Sequence, residues 1–378
     1  MDWKTERDRV LESAGRVVVK VGSAVLTGET GLDLEVINHL AGQLAWLHDR
    51  GPDIVLVSSG AVAAGRKIVD RELKGLPARQ AVSAVGQSRL MHAYDEAFER
   101  HHKVTAQLLI TRAVLKDNSR FLNALNTFRT LFSWRVIPVV NENDTVSVQE
   151  LEFGDNDYLA SLVVNLVQAD LFVNLTSAKG VFDQNPDANP KAKRLKCIED
   201  ISAIRLGEVC GGKTLDGTGG MYSKLLAARR AAQLGVPTLI VSGRDPECLS
   251  KTFSGRDVGT WIMPEGKKIS RRKFRLAYNF EPAGSVIVDA GAADALTSRG
   301  KSLLPAGIQD VEGDFDAGAL VKIKDSEGNA VGVGLSNYNA GDLRTIMGKQ
   351  SAEIKKALGR CPYPDAVHRD NMLLDAAV

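Results

Sequence analysis

The sequence predicts an α/β fold with a mostly parallel sheet sandwiched by helices, followed by a small β-rich domain. In the first part, short β-branched runs alternate with longer segments of helical periodicity, and the runs are almost continuously apolar. Strands that are apolar on both faces are typical of parallel sheets between two layers of helices. After about residue 276 the pattern changes to short alternating segments, which indicates the β-rich part.

The predicted strands of the first part are its β-branched runs, which lie at Arg16–Val21, Asp53–Ser58, Val104–Thr111, Arg135–Val140, Asp170–Thr176 and Pro237–Ser242. Between them, apolar residues recur at helical spacing, most clearly from Leu34 to Leu47, and Gly51-Pro52 ends that helix. Met221–Leu234 is a second clear helical segment, which closes on a glycine before the last of these strands. This alternation predicts a repeated β-α-β arrangement.

Two domains are predicted, over residues 1–265 and 276–378, with residues 266–275 as a linker. The linker prediction depends on Lys267–Arg275, where six of nine residues are basic and no apolar stripe is visible. In the second domain, V-K-I-K and A-V-G-V-G-L flank D-S-E-G-N over residues 321–335. This pattern predicts a β-hairpin with a glycine-containing loop.

Composition excludes several classes of protein. The chain has 378 residues and a formal net charge of +2, so no global charge favours nucleic acid or a membrane surface. Its four cysteines form no C-x-x-C pair and no zinc spacing, and no run is long and apolar enough for a membrane span. The N-terminus has no apolar signal segment. We therefore expect a cytoplasmic protein with free thiols and no membrane partner.

The first candidate site for an anion follows the first predicted strand. Lys20 lies inside an otherwise apolar run, and Gly22-Ser23 come directly after it. A buried ammonium is costly unless it meets an anion, and a glycine lets the backbone approach phosphate oxygens. The alternative is a lysine that reaches water at the sheet edge. Ser58–Gly65 follows the second strand, and its small residues suit either an anion at a helix N-terminus or helix packing.

Acidic and amide side chains crowd the segment Asn141–Asp157, between a predicted strand and a helix expected near Tyr158. The segment contains N-E-N-D at 141–144 and G-D-N-D at 154–157. Asn and Asp are also ordinary turn and helix-capping residues. In open α/β sheets, however, the carboxyl ends of strands are where ligands bind, and two such clusters in one connection favour a ligand site.

Gly217–Lys224, with the sequence G-T-G-G-M-Y-S-K, is a glycine-rich turn before a predicted helix. Flexible backbone followed by a lysine in the first helical turn favours phosphate binding. Gly207–Thr214 also fits the Walker A pattern, but the strand and helix that this motif needs are not predicted around it, so we reject the match. No Ser/His/Asp or Cys/His arrangement is visible, and the glycines, lysines and carboxylates together indicate phosphoryl transfer.

In this combination and order, the motifs closely resemble the glutamate 5-kinase family of the amino acid kinase superfamily. The matching segments are K-V-G-S (20–23), S-S-G-A (58–61), A-V-G-Q-S-R-L (84–90), R-F-L-N-A (120–124), N-E-N-D (141–144), G-D-N-D (154–157), G-T-G-G-M-Y-S-K (217–224) and S-L-L-P-A-G-I (302–308). The tail resembles a PUA domain, a small β-rich module first associated with RNA-modifying enzymes. The resemblance covers almost the whole chain. It implies transfer of the ATP γ-phosphate to the side-chain carboxylate of L-glutamate, the first step of proline biosynthesis.

The resemblance also implies roles for individual residues. Lys20 and Lys224 would neutralise charge on the transferring phosphoryl group, while Asp155 and Asp157 would contact the substrate or organise the lysines and Mg²⁺. The substrate would be held by Ser59, Gly60, Asp144 and Asn156, with Asp144 as the partner of its ammonium group. Besides both lysines, the ATP site would be lined by Gly22, Ser23, Thr176, Ser177, Thr218, Gly219, Gly220 and Met221. No protein residue is assigned as a direct ligand of Mg²⁺.

Further expectations concern partners and departures from the family pattern. The resemblance implies a dimer or tetramer, feedback inhibition by proline, and a glutamyl phosphate reductase that consumes the product. Ser177 stands where the family usually has Asp, so we expect altered nucleotide binding. Two alternative functions fit parts of the pattern. One is phosphorylation of a different acceptor, against which the paired N-E-N-D and G-D-N-D motifs argue. The other is RNA binding through the tail, which the net charge of +2 does not support.

Overall fold

The computed structural model describes residues 2–28, 31–69, 71, 74–111, 114–115, 117–146, 156–186, 189–204, 220–266, 268–279, 282–361 and 363–374. The chain divides into two compact units, Met1–Lys268 and Ile269–Val378. Each unit has a hydrophobic core of its own. Within the described residues, no helix combines the length and the apolar character needed to cross a membrane.

The first unit alternates strands and helices as its sequence predicts. Its strands are β1 (Arg16–Val21), β2 (Thr27–Gly28), β3 (Gly31–Leu32), β4 (Asp53–Ser58), β5 (Thr105–Ile110), β6 (Ile137–Glu142), β7 (Leu171–Thr176), β8 (Cys197–Ile198), β9 (Thr238–Ser242) and β10 (Thr260–Ile262). Its helices are α1 (Trp3–Ser13), α2 (Ser23–Leu26), α3 (Leu34–Asp49), α4 (Ala61–Val69), α5 (Gly75–Glu99), α6 (Asn118–Ser133), α7 (Asn156–Val167), α8 (Met221–Gln233) and α9 (Cys248–Phe253).

In the part of the first unit that the structure describes, eight strands form one sheet in the order β5-β6-β4-β1-β7-β9-β10-β8. Neighbouring strands are parallel, except that β10 runs antiparallel to β9. Strands β1, β4, β6 and β7 are buried along almost their whole length, because helices cover both faces of the sheet. The predicted fold class, a mostly parallel sheet sandwiched by helices, is confirmed. The carboxyl ends of these four strands therefore lie at one edge.

Helices α4 and α5 approach each other so closely that their contact requires glycine. A Cβ atom added at Gly86 would lie 1.7 Å from the carbonyl oxygen of Ala61, and one at Gly65 would lie 1.9 Å from that of Val82. These two contacts pair the start of α4 with the middle of α5, and the middle of α4 with an earlier turn of α5. The two helices are therefore antiparallel neighbours.

We expect Gly86→Ala to destabilise the protein strongly, because the clashing atom is a backbone oxygen that no side-chain rotation can move. Ordinary overpacking of a core costs about 1–3 kcal/mol, and this substitution should reach or exceed the upper value. The free energy of unfolding in urea measures it. Gly266→Ala is the control, because no heavy atom lies within 4 Å of a Cβ added there. Equal stability of the two variants would contradict the packing described.

The second unit is β-rich, as predicted. Its strands are β11 (Gly284–Val288), β12 (Ile308–Gly313), β13 (Leu320–Lys324), β14 (Ala330–Ser336) and β15 (Val367–Leu374). In the described residues they form a five-stranded sheet in the order β12-β11-β13-β14-β15. Strands β13 and β14 pair antiparallel, which confirms the predicted hairpin. The helices of this unit are α10 (Arg271–Asn279), α11 (Ala290–Thr297), α12 (Ala340–Ile346) and α13 (Ser351–Leu358).

The structure differs from the sequence prediction at the segment interpreted as a linker. Most of the basic run belongs to α10, which lies in the second unit and packs against β15. Phe274 and Tyr278, one helical turn apart, are buried with ring centroids 4.7 Å from each other. These two buried rings hold one face of the cation-rich helix, although its sequence shows no clear apolar stripe. The boundary between the units falls after Lys268.

Candidate active site

A cavity of about 600 Å³ opens at the carboxyl edge of the first unit's sheet. Its walls come from the ends of β1, β6 and β7, from the residues that follow β1, β4, β6 and β7, and from α4, α5, α7 and α8. The lining residues are Lys20, Gly22, Ser23, Ala24, Val25, Ser59, Gly60, Ala61, Val62, Ala63, Arg66, Arg79, Asn141, Glu142, Asp144, Asn156, Thr176, Ser177 and Lys224. Motifs that are far apart in the sequence meet here because parallel strands end at the same edge.

Asp157 is the charged centre of this site. Its carboxylate is fully buried and pairs with Lys20 at 2.6 Å and with Lys224 at 3.3 Å. Burial alone would raise the pKa of Asp157, but the ammonium groups of Lys20 and Lys224 outweigh that effect and hold it well below its usual range. Both lysines are themselves buried and line the cavity, whereas the aspartate lies behind them. A single carboxylate thus fixes two cations at the cavity wall.

Neutral side chains orient the Asp157 carboxylate. The Asn174 amide donates a hydrogen bond to Oδ1 at 2.8 Å, and the Ser223 hydroxyl donates to Oδ2 at 2.8 Å. Asn174 comes from β7 and Ser223 from the first turn of α8, next to Lys224 in the sequence. Because each oxygen has a lysine and a neutral donor, the carboxylate cannot rotate without breaking several contacts. The positions of both ammonium groups are therefore preorganised.

An amide network forms the adjoining wall. Asn156, the first residue of α7, directs its amide nitrogen at the Ser58 carbonyl (2.9 Å), the Ser59 hydroxyl (3.0 Å) and the Asn141 side-chain oxygen (2.8 Å). Asn141 in turn donates to Gln87 of α5 at 2.7 Å. Asn156 begins α7 two residues earlier than the predicted start near Tyr158, so that its side chain and that of Asp157 are both fixed by the helix. The structure therefore brings the predicted Ser59 and Asn156 together.

Gly60 makes the sharp turn between β4 and α4. Its φ angle is +107°, a conformation that strains residues with a side chain, and it lines the cavity. The turn exposes the first residues of α4 at the cavity wall. Backbone N–H groups at a helix start are suited to binding negatively charged groups.

Two carboxylates, Glu142 and Asp144, line the cavity at the end of β6, which lies two strands from the β1 strand that carries Lys20. Strand β6 extends two residues beyond its predicted end at Val140, because Asn141 and Glu142 continue its pairing with Leu109 and Ile110 of β5. Glu142 is consequently buried, and Asp144 accepts a hydrogen bond from Ser83 of α5. This part of the cavity is suited to a cationic group such as a substrate ammonium.

Only some of the residues predicted for the nucleotide site line the cavity. Gly22, Ser23, Thr176 and Ser177 line the cavity. Gly220 caps α8, and the Met221 side chain packs against the core cluster around Leu225 instead of lining the cavity, because it lies on the sheet-facing side of the helix. The predicted Asp155, Thr218 and Gly219 lie outside the described residues, as does the rejected Walker A match at 207–214.

Several residues in the cavity wall or behind it, around Asp157, are not indicated by the sequence pattern. Asn174 is the clearest case, since a buried amide inside L-F-V-N-L-T is as unusual as Lys20 inside its own strand. Ser223 lies within G-T-G-G-M-Y-S-K and Glu142 within N-E-N-D, but the pattern of these motifs does not distinguish the two residues from their neighbours. Arg66 and Arg79 carried no signal, because arginine on an exposed helix face is ordinary.

The family resemblance implies Mg²⁺, and the described residues fit it only as a companion of bound phosphate. Both Asp157 oxygens are engaged by lysines, and no group of three or more His, Cys, Asp or Glu side chains in the described residues could hold a cation. Mg²⁺ usually keeps several waters and binds through substrate phosphates with few protein ligands. The arrangement is compatible with that mode.

Comparisons with known proteins agree with the geometry. The amino acid kinase family model matches residues 15–242, and the PUA domain model matches residues 284–358. The glutamate 5-kinase of Oleidesulfovibrio alaskensis is 61% identical over 380 residues, covering 100% of both chains. That of Maridesulfovibrio salexigens is 60% identical, covering 99% of this chain and 100% of the relative. That of Geobacter sulfurreducens is 44% identical, covering 97% and 100%.

Among solved structures, the UMP kinase of Bacillus anthracis matches with a TM-score of 0.46 and 15% identity, covering 67% of this chain and 97% of that chain. Because that score is low, the assignment depends on the sequence relatives and the family models. They confirm the resemblance found in the motifs over essentially the full length of the chain. This chain belongs to the glutamate 5-kinase family, within the amino acid kinase family.

Proposed function

We propose that the protein transfers the γ-phosphoryl group of ATP to the side-chain carboxylate of L-glutamate, giving L-glutamyl 5-phosphate and ADP. The observation that carries the proposal is the pair of buried ammonium groups held by Asp157 at the wall of a polar cavity. This reaction is the first step of proline biosynthesis. A reductase would then consume the labile acyl phosphate.

The chemistry requires charge neutralisation more than proton transfer. The attacking group is already a carboxylate, so no general base is needed, but it must approach a triphosphate of the same sign. In phosphoryl transfer, negative charge spreads over the equatorial oxygens of the transferred group, and fixed cations stabilise it. Lys20 from β1 and Lys224 from α8 supply two such cations in a buried site, where their fields are little screened by water. Mg²⁺ bound to the nucleotide would add Lewis-acid stabilisation of the same charge.

Orientation of glutamate follows from the remaining polar groups. Its ammonium would bind Asp144, with Glu142 close by, and Ser59 and Asn156 would hold the body of the molecule. This leaves the side-chain carboxylate directed toward the lysine pair. Thr176 and Ser177, at the end of β7, would lie on the ATP side with Gly22 and Ser23.

We expect Asp144→Asn to raise the KM for L-glutamate at least tenfold while changing kcat much less. Loss of one charge-assisted contact to the ammonium costs about 1.5–3 kcal/mol, and about 1.4 kcal/mol corresponds to a factor of ten. Ser83→Ala is the matched control, since it removes only the hydroxyl that donates to Asp144 and should change KM a few-fold. Steady-state kinetics at saturating ATP gives both values. An unchanged KM in Asp144→Asn would remove this residue from substrate binding.

Proline is the proposed feedback inhibitor, on the strength of the family resemblance. Its ammonium and carboxylate match those of glutamate, so it would compete in the cavity formed by Asn141–Asp144. We expect saturating proline to raise the apparent KM for L-glutamate and to leave the KM for ATP nearly constant. If proline does not change the rate at limiting L-glutamate, proline is not a competitive inhibitor of this protein.

The direct test of the function is turnover with Mg-ATP and L-glutamate, with the acyl phosphate trapped by hydroxylamine as the hydroxamate. L-Aspartate and N-acetyl-L-glutamate are the controls. The first is one methylene shorter, and the second lacks the ammonium charge that Asp144 would bind. Hydroxamate from glutamate alone supports the proposal. Equal product from N-acetyl-L-glutamate, or ADP release without glutamate, would contradict it.

A further inference from the structure

Arg66 and Arg79 line the cavity from two neighbouring helices. Neither side chain forms an ion pair or hydrogen bond with any residue that the structure describes. Arg66 lies one helical turn after Val62 and Ala63, which line the same wall, so this face of α4 points into the cavity. Since Gly65, directly before Arg66, packs against Val82 of α5, the turn of α5 that carries Arg79 lies next to this part of α4. Two cationic side chains therefore share one end of the cavity.

The same face of α5 places Arg79 beside the acidic part of the cavity. Arg79 and Ser83 are four residues apart, and Cβ atoms at that spacing on a helix are about 5–6 Å from each other. Ser83 donates its hydroxyl hydrogen bond to Asp144. Arg79 and Asp144 therefore line the same part of the cavity wall.

In the proposed function, the charged residues of this cavity bind two different groups, the phosphoryl group and the amino-acid substrate. Lys20 and Lys224 pair with Asp157, and in the proposed function they stabilise the phosphoryl group. Asp144 provides the negative charge for an ammonium, but an α-amino acid carries a carboxylate on the same carbon atom. That second group needs a cation close to Asp144 and separate from the lysine pair. A planar guanidinium is well suited, because it can bind both carboxylate oxygens.

We propose that Arg66 and Arg79 bind the α-carboxylate of the amino-acid substrate, an assignment that rests on the function proposed above. With Asp144 on the ammonium and the arginines on the α-carboxylate, the substrate is held at both charges of its α-carbon. The side-chain carboxylate then extends toward Lys20 and Lys224. The cavity selects in this way for a free α-carboxylate and prevents the wrong carboxylate from reaching ATP.

The test combines arginine variants with a substrate analogue. L-Isoglutamine, the α-amide of L-glutamate, keeps the reactive side-chain carboxylate and loses only the α-carboxylate charge. We expect Arg66→Gln and Arg79→Gln each to raise the KM for L-glutamate at least about tenfold, with the KM for ATP changed by less than about twofold. The preference of the wild-type protein for L-glutamate over L-isoglutamine, measured as the ratio of kcat/KM values, should fall at least about tenfold in each variant.

Lys67→Gln is the matched control, because Lys67 is an exposed cation on the same helix and does not line the cavity. Its kinetics should equal those of the wild-type protein. Both arginines are exposed, so the variants are expected to fold, and circular dichroism verifies this. An unchanged preference for L-glutamate in both arginine variants would overturn the assignment, as would a rise confined to the KM for ATP. If the wild-type protein makes no hydroxamate from L-glutamate at all, the proposed function itself fails, which is a distinct result.

Discussion

Lys224→Ala is expected to lower kcat by at least about a hundredfold, which corresponds to about 3 kcal/mol of lost transition-state stabilisation. The ammonium of Lys224 lies in the cavity wall and is held by the fully buried Asp157. In the proposed mechanism its charge stabilises the negative charge that develops on the transferred phosphoryl group, so its loss should affect kcat more than either KM. Lys20→Ala should have an effect of the same kind, because both ammonium groups contact one carboxylate.

Two comparisons make the Lys224 prediction specific. Lys224→Arg keeps the charge but places a larger, planar group beside Asp157, so partial activity is expected. Lys355→Ala removes an exposed lysine of α13 and should leave kcat unchanged. Single-turnover measurement, with enzyme in excess over Mg-ATP and with saturating L-glutamate, separates the chemical step from product release. Near-normal turnover in Lys224→Ala would exclude this residue from the mechanism.

Asp157→Asn is expected to cost both stability and activity. It removes the carboxylate from between Lys20 and Lys224 and leaves two buried ammonium groups close together. Removing one partner of a buried ion pair typically costs about 3–5 kcal/mol, because the remaining charge is uncompensated. The free energy of unfolding in urea near neutral pH measures this cost. Asp316→Asn, at an exposed position, is the control and should be nearly neutral.

The loss of stability in Asp157→Asn should depend on pH, because the pKa of Asp157 differs between the folded and unfolded protein. The pKa of Asp157 is lowered in the folded protein, whereas in the unfolded chain it should be about 3.9. The folded protein therefore holds the ionised form, and the stabilisation is complete above about pH 4 and is lost as the pH falls through the lower folded-state pKa. The stability difference between wild type and Asp157→Asn should be constant near neutral pH and shrink in acid. A difference that grew on acidification would contradict the assignment.

Much of the site could be predicted from the sequence because its signals are local. Lys20 is unusual inside an apolar strand, and the clusters around Asp144 and Asn156 are unusual in one connection. Because ligands bind at the carboxyl ends of parallel strands, residues that are more than a hundred positions apart in the sequence are expected in one site. This rule holds for any sequence of this fold class, so it needs no knowledge of detailed packing. The cavity contains most of the residues selected in this way.

The remaining features depend on pairwise contacts, which sequence patterns do not specify. That Asp157 pairs with both lysines follows from the register of β1, the start of α7 and the first turn of α8 together. The roles of Asn174 and Ser223 follow from the same meeting of elements. The sequence predicts a linker near Arg271–Asn279 because cations dominate it, whereas the burial of Phe274 and Tyr278 depends on contacts with β15 that the pattern does not specify. The roles predicted for Asp155, Thr218 and Gly219 stay predictions.

The most direct test of the central claim follows the oxygen atoms of the substrate. L-Glutamate labelled with ¹⁸O in its side-chain carboxylate is incubated with Mg-ATP, and hydroxylamine traps the acyl phosphate by attack at the carbonyl carbon. If the carboxylate oxygen attacks the γ-phosphorus, the released phosphate carries one ¹⁸O atom for each hydroxamate formed. Mass spectrometry of that phosphate should show this ratio in the wild-type protein, and Lys224→Ala should form both products more slowly. Unlabelled phosphate would mean that water, and not the side-chain carboxylate, is the acceptor.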